Sequence, residues 1–264
     1  MHFTKENLIE LHNRIVNFAD ENLQKINDLN IDLNNEHDSS FVGMIIRQHS
    51  MNNDLSLLYS NKETQTLTSE FILYRCLIDD YIHIIFISDQ DDKNEMFTRL
   101  NAHALSTNFR KLSDLAELNE EKLGGNYPFY PTYEMMEDLK QKMKDSPKRQ
   151  AHFSNKDEFK FKTFKATGNL IRDLNDNDAN SHNLRRAYFI WRKYSDFVHY
   201  SNLAYEEENE INPAEDTTYT EFAEIISYSY FVILNCLQHF VEKYGLEIID
   251  SNNLAEYYAN AGHQ

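Results

Sequence analysis

The sequence predicts an all-α protein, a multi-helix bundle of about seven to nine helices. Three observations predict it. Gly (6) and Pro (4) are scarce in 264 residues, which leaves few break points for short strands and hairpins. Apolar residues recur at three- and four-residue steps through long windows. Thr, Ser or Asp stands before most of those windows, where a side-chain oxygen can cap a helix. At this length the chain can bury a substantial core as one helical domain, residues 1–264.

Thr4 caps a first helix that runs to about Asn30, with Leu8, Leu11, Ile15, Phe18, Ile26 and Leu29 near a seven-residue repeat. After the polar loop NIDLNNEHDSS, Ser39 or Ser40 starts a second helix reaching about Asn61. Thr66 or Thr68 opens the third, TSEFILYRCLIDDYIHIIFISD, apolar nearly all round and so expected at the centre of the core. DQDD (89–92) breaks the chain before a more polar fourth helix to about Asn119. KLGGNYPFYP is the one stretch dense in Gly and Pro and the best lobe boundary, at 120–131. A short charged helix, Tyr133 to Lys144, follows it. Residues 145–166 are basic and aromatic without clear period and are expected to be an irregular or weakly helical insertion. A modest helix covers about 167–175. Asp178 or Ser181 caps another through Val198. After the acidic loop YEEENEINPAEDTT comes a long helix, Tyr219 to Tyr244, with Gly245 suited to end it. A short helix near 251–260 closes the chain.

Cys76 and Cys236 sit in apolar helical surroundings, so a disulfide framework is not indicated and a cytoplasmic setting is expected. MHFTKENLIELHNR holds no apolar run of signal-peptide type. The most apolar window, Phe71 to Ile87, is interrupted by Arg75, Asp79, Asp80 and His83, and no membrane span is expected. A net charge of −17 argues against general nucleic-acid binding, DNA included, and against anionic membranes. The charge is uneven, however. Lys140 to Lys193 holds 14 Lys or Arg against 6 Asp or Glu, a local +8. That run is either a solvated helix face or a docking surface for an anion such as RNA.

Three groups of residues could carry chemistry. Arg192 and His199 lie seven residues apart, within about 20° of two full helical turns, so a continuous helix places both on one face. Asp196 reaches His199 at i+3 and can hold the imidazole as a general base or acid, while the arginine fork matches a phosphate. Tyr194, Ser195 and Ser201 share this stretch. The bland alternative is a helix-end histidine with a surface Arg192–Asp196 pair. The second group is Arg75, Asp79, Asp80 and His83 in the third helix. It forms either a buried structural pair or a stripe lining a polar pocket, with Arg75 as an anion clamp. The third reading takes Asp80/His83 and Asp196/His199 as two metal-ligand pairs completed by Glu224 and Glu21; no metal or other cofactor is the favoured expectation.

The segments SEFILYRCLIDDYIHIIFISDQDDKNEMFTR (69–99) and AYFIWRKYSDFVHYS (187–201) resemble the two hallmarks of an uncharacterised bacterial helical family, a domain of unknown function. The second segment is also similar to the HEPN superfamily, whose ribonucleases carry Arg, four to six residues, then His near a helix end. That resemblance implies a HEPN-like fold and a metal-independent endoribonuclease. Arg192 would bind the scissile phosphate and His199 would move the proton as a 2′-hydroxyl attacks. Such proteins are typically toxins or anti-phage effectors and often act as homodimers. This sequence departs in having Lys193 after the arginine, where a small polar or acidic residue is usual. The alternative is a non-catalytic helical module binding a partner protein or a small anionic ligand through the same pocket, with Arg75, Asp79, Tyr194, Ser195 and Ser201 as contacts.

Overall fold

A computed structural model describes residues 3–60, 67–176, 180–198 and 216–261. The described chain is all-α apart from one two-stranded ribbon. It divides into two compact units, residues 1–89 with 167–264, and residues 90–166. Among the described residues no helix is long and apolar enough to cross a membrane.

The first unit is built from α1 (Lys5–Asp28), α2 (Glu36–Ser60), α3 (Leu67–Ser88), α6 (Thr167–Arg172), α7 (Ser181–Ser195), α8 (Asp216–Tyr244) and α9 (Leu254–Ala261). In α1 the Thr4 hydroxyl accepts from the Asn7 amide at 3.3 Å, and Asn7 Oδ1 accepts from the Thr4 amide at 3.0 Å, a reciprocal cap. The predicted seam Leu8, Leu11, Ile15, Phe18 and Ile26 is buried. Helix α8 packs against α1, α2 and α3, and α7 covers another side of α3. That double covering is why α3 reads apolar nearly all round. Helix α2 begins at Glu36 rather than at Ser39 or Ser40. Asn35 is its cap, accepting from the amides of His37 and Asp38 at 3.1 and 3.2 Å. Asp38, in that first turn, is fully buried and accepts from Lys243 at 2.8 Å and from His239 at 2.6 Å, both in the last turns of α8. A carboxylate at one helix start thus meets the Lys243 cation at another helix end, favouring both dipoles; the His239, Lys243 and Tyr244 hydrogen bonds hold the Asp38 carboxyl below its usual range despite burial.

A run of polar groups threads this core. His12 Nδ1 lies 2.8 Å from Asn52 Oδ1, and His12 Nε2 lies 3.2 Å from the Tyr74 hydroxyl, itself 3.0 Å from the Tyr59 hydroxyl. On the other side Asn52 Nδ2 donates to the Ser229 hydroxyl, Ser229 donates to Gln48 Oε1, and Gln48 Nε2 donates to Asp80 Oδ2 at 2.8 Å. His12, Gln48, Asn52, Tyr74 and Ser229 are each wholly buried, so each depends on the others for partners.

The second unit holds α4 (Lys93–Lys122), α5 (Tyr133–Asp145), a 3-10 turn (Pro147–His152) and the antiparallel strands β1 (Phe153–Asn155) and β2 (Lys160–Phe161). Within 145–166, read as irregular or weakly helical, residues 147–152 form the 3-10 turn and 162–166 have no regular structure, while 153–155 and 160–161 pair as a ribbon. Register sets Phe153 opposite Phe161 with ring centroids 4.8 Å apart, an aromatic pair that favours pairing over a helix. The Gly/Pro stretch lies inside this unit, between α4 and α5. Gly124 and Gly125 take φ of +65° and +69°, a region costly to other residues. Buried Asn119 organises the stretch. Its Nδ2 donates to the carbonyls of Tyr127, Tyr130 and Pro131 at 3.2 to 3.4 Å, and its Oδ1 accepts from the Tyr127 amide at 3.1 Å. Asn119→Ala should cost about 2 to 3 kcal/mol by leaving several of these backbone groups without a partner, read by chemical denaturation.

Candidate functional site

Helix α3 sorts its polar residues onto two sides. Asp80 points to α2, where Arg47 Nε and Gln48 Nε2 each donate to Oδ2 at 2.8 Å. Burial pushes the Asp80 carboxyl up to about 6 against the pull of Arg47 and Gln48. Arg75, Asp79 and His83, spaced four apart, share the side facing α6 and α7. The Thr167 hydroxyl lies 3.4 Å from Asp79 Oδ1 and 3.3 Å from His83 Nε2, while His83 Nδ1 is 4.0 Å from Asp79 Oδ2.

Arg75 does not pair with Asp79. Its Nε donates to the Ser195 hydroxyl at 3.1 Å, and its guanidinium carbon lies over the Trp191 ring, 4.8 Å from the centroid. Ser195 donates onward to the Trp191 carbonyl at 2.7 Å, so it is positioned to accept from Arg75. Trp191 in turn stacks on Tyr188 at 5.6 Å, and its buried indole N–H has no partner among the described residues. Gly168 lets α6 come this close, since a Cβ there would meet the Tyr188 hydroxyl at 2.8 Å. The two sequence segments are thus joined through Arg75, Trp191 and Ser195. Trp191 was present in the second segment without an assigned role. Thr167 and Gly168 give no local signal, because their contacts exist only once α6 has docked.

The remaining expected residues separate. Tyr194 is a core residue, 1% exposed, with its ring 5.1 Å from Phe71 and its hydroxyl donating to Glu221, so it cannot meet a ligand from solvent. Helix α7 stops at Ser195, not Val198. Residues 196–198 turn, the Val198 amide bonding to the Ser195 carbonyl, as Phe197 packs on Phe71 at 4.3 Å. The helical face shared by Arg192 and His199 was drawn for a continuous helix, and that basis ends at Ser195. His199 and Ser201 lie outside the described residues. Asp196 is exposed at the helix end. Lys193, the residue that departs from the superfamily pattern, ion-pairs with Glu221 of α8 at 2.8 Å.

Charge pairing differs among the cations of α3 and α7. On α7, Arg185 pairs with Asp176, Arg186 makes a two-pronged pair with Glu224, and Lys193 pairs with Glu221. Arg75, half-buried, and Arg192, exposed, have no carboxylate within ion-pair distance among the described residues. The basic run is mostly answered from within: Lys140 by Glu137, Lys142 by Asp138, Lys160 by Glu158, Lys162 by Glu95 and Lys144 by the Asp157 carbonyl.

No family model, curated protein or solved structure matches this chain.

The described members of the metal set do not gather, and His199 lies outside the described residues. Asp80 is turned to α2, Glu224 is held by Arg186 and Tyr228, and Glu21 accepts from Ser251. Among the described residues no three His, Cys, Asp or Glu side chains gather as metal ligands would. Cys236 is fully buried, and burial raises its thiol pKa, so it is a poor nucleophile.

Proposed function

We propose that this protein binds the phosphodiester backbone of RNA along the α3–α7 seam and cleaves it without a metal, in the manner of HEPN ribonucleases. One observation carries the reading: Arg75 and Arg192 are without carboxylate partners among the described residues, whereas the other cations of α7 are paired. A half-buried guanidinium seated on an indole and lacking a counter-ion is prepared to take an anion, and its planar fork suits phosphate oxygens. Arg192 would bind the scissile phosphate and His199 would act as general acid and base. The engagement of Lys193 with Glu221 supports this, because it takes the unusual charge beside Arg192 toward α8. The reading places the protein in the cytosol.

A second reading, a non-catalytic module for a small anion, is favoured by the net charge of −17, which repels long polyanions more than compact ones. Incubation with total RNA in EDTA separates the two. The ribonuclease reading expects cleavage by the wild type and a loss of about 100-fold or more in His199→Ala. Equal cleavage by both proteins, or none by either, refutes it.

A further inference from the structure

The second unit contains a cleft of about 480 Å³ between α4, α5 and the turn that joins β1 to β2. Phe109, Met136 and Phe159 wall it, and Glu117, Glu137 and Glu158 also line it. Phe159 is set into that wall at a cost. Its φ is +55°, a region that bulky side chains rarely adopt, and its ring meets Phe109 edge-on at 4.8 Å. The cleft also displays what it holds. The ammonium of the chain's own Lys140 lies over the Phe159 ring, 5.8 Å from the centroid, and 3.4 Å from a Glu137 oxygen. Glu158 pairs with Lys160, and Glu117, exposed on α4, pairs with no cation among the described residues.

We infer that this cleft binds a primary ammonium carried on an unbranched apolar stem, either a free polyamine or the lysine side chain of a peptide. The aromatic rings take the stem and one face of the cation, and Glu117 supplies the compensating charge. Lys140 is an internal competitor for the same wall. The inference does not depend on the α3–α7 seam.

The test is ligand-observed NMR titration of the full chain with spermidine and with Nα-acetyl-lysine methylamide, using the ε-acetylated, uncharged compound as control. One or both charged compounds should bind and the control should not. Phe159→Leu should weaken binding about threefold, and Lys140→Met should tighten it about threefold. Glu117→Gln, at an exposed position that leaves packing untouched, should also weaken it. Binding by spermidine alone identifies a free polyamine, and binding by the lysine compound alone identifies a peptide side chain. No binding of either, or binding indifferent to both Phe159→Leu and Lys140→Met, overturns the inference.

Discussion

Replacing Arg75 with methionine is expected to raise the dissociation constant of a short single-stranded RNA about 10- to 100-fold, the range set by losing one to two charge-assisted hydrogen bonds. The fold should survive. Arg75 is half-buried and makes no ion pair among the described residues, and Ser195 keeps its bond to the Trp191 carbonyl when the guanidinium goes. Methionine retains a stem that can lie on the indole. The matched control is Arg186→Met. That guanidinium is saturated by both oxygens of Glu224, so its removal should change affinity less than about twofold, while stability falls by at most about 1 kcal/mol with the lost pair. Fluorescence anisotropy with a labelled oligonucleotide reads both. Equal losses in the two variants would mean that RNA senses total charge rather than the seam.

The largest effect on stability belongs to the buried run of polar groups. Asn52→Leu should cost about 3 to 5 kcal/mol, because His12 Nδ1, the Ser229 hydroxyl and the Gln48 carbonyl all lose a partner in a dry interior. The same run sets a pH dependence. Burial lowers the His12 pKa to about 4, so the ring is neutral near pH 7. With Asn52 Oδ1 as acceptor, His12 carries its proton on Nδ1, and Nε2 accepts from Tyr74. Beyond Tyr59, burial lifts the Glu70 carboxyl to about 7, outweighing the Tyr59 hydrogen bond and Lys5. A folded-state pKa above the unfolded value of 4.5 gives stability that is complete at low pH and is lost as pH rises toward 7. The loss should be about 3 kcal/mol across that window, and Glu70→Gln, which cannot titrate, should abolish it. Denaturation midpoints at pH 4.5 and pH 7.5 for the two proteins provide the check; an unchanged slope in Glu70→Gln would refute the assignment to Glu70.

Much of the helical framework was legible because it rests on local rules. Thr4 and the heptad-spaced apolar residues of α1 specify a start and a face, and both appear as read. Asn35 was missed as the α2 cap because Ser39 and Ser40 offer the same chemistry four residues later, and only docking of Asp38 on α8 selects between them. His12, Gln48 and Asn52 were not read as core residues. A polar residue on a helix looks solvated until its partners from other helices are known. At the site, Asp79 and Asp80 look equivalent in sequence, yet the 100° between neighbours on a helix sends one to α6 and the other to α2. Tyr194 was grouped with Ser195 for the same reason, and that rotation carries it into the core instead. The ribbon over 153–161 is too short to show a period, and its register comes from the Phe153–Phe161 pair.

The central claim is that Arg75 and Arg192 together hold the RNA backbone, and the salt dependence of binding tests it most directly. Each phosphate contact on a single strand contributes about −0.7 to the slope of log K against log salt, so two contacts predict about −1.4 for the wild type. Arg75→Met combined with Arg192→Met should bring that slope close to zero. A slope in the double variant equal to that of the wild type would contradict the account.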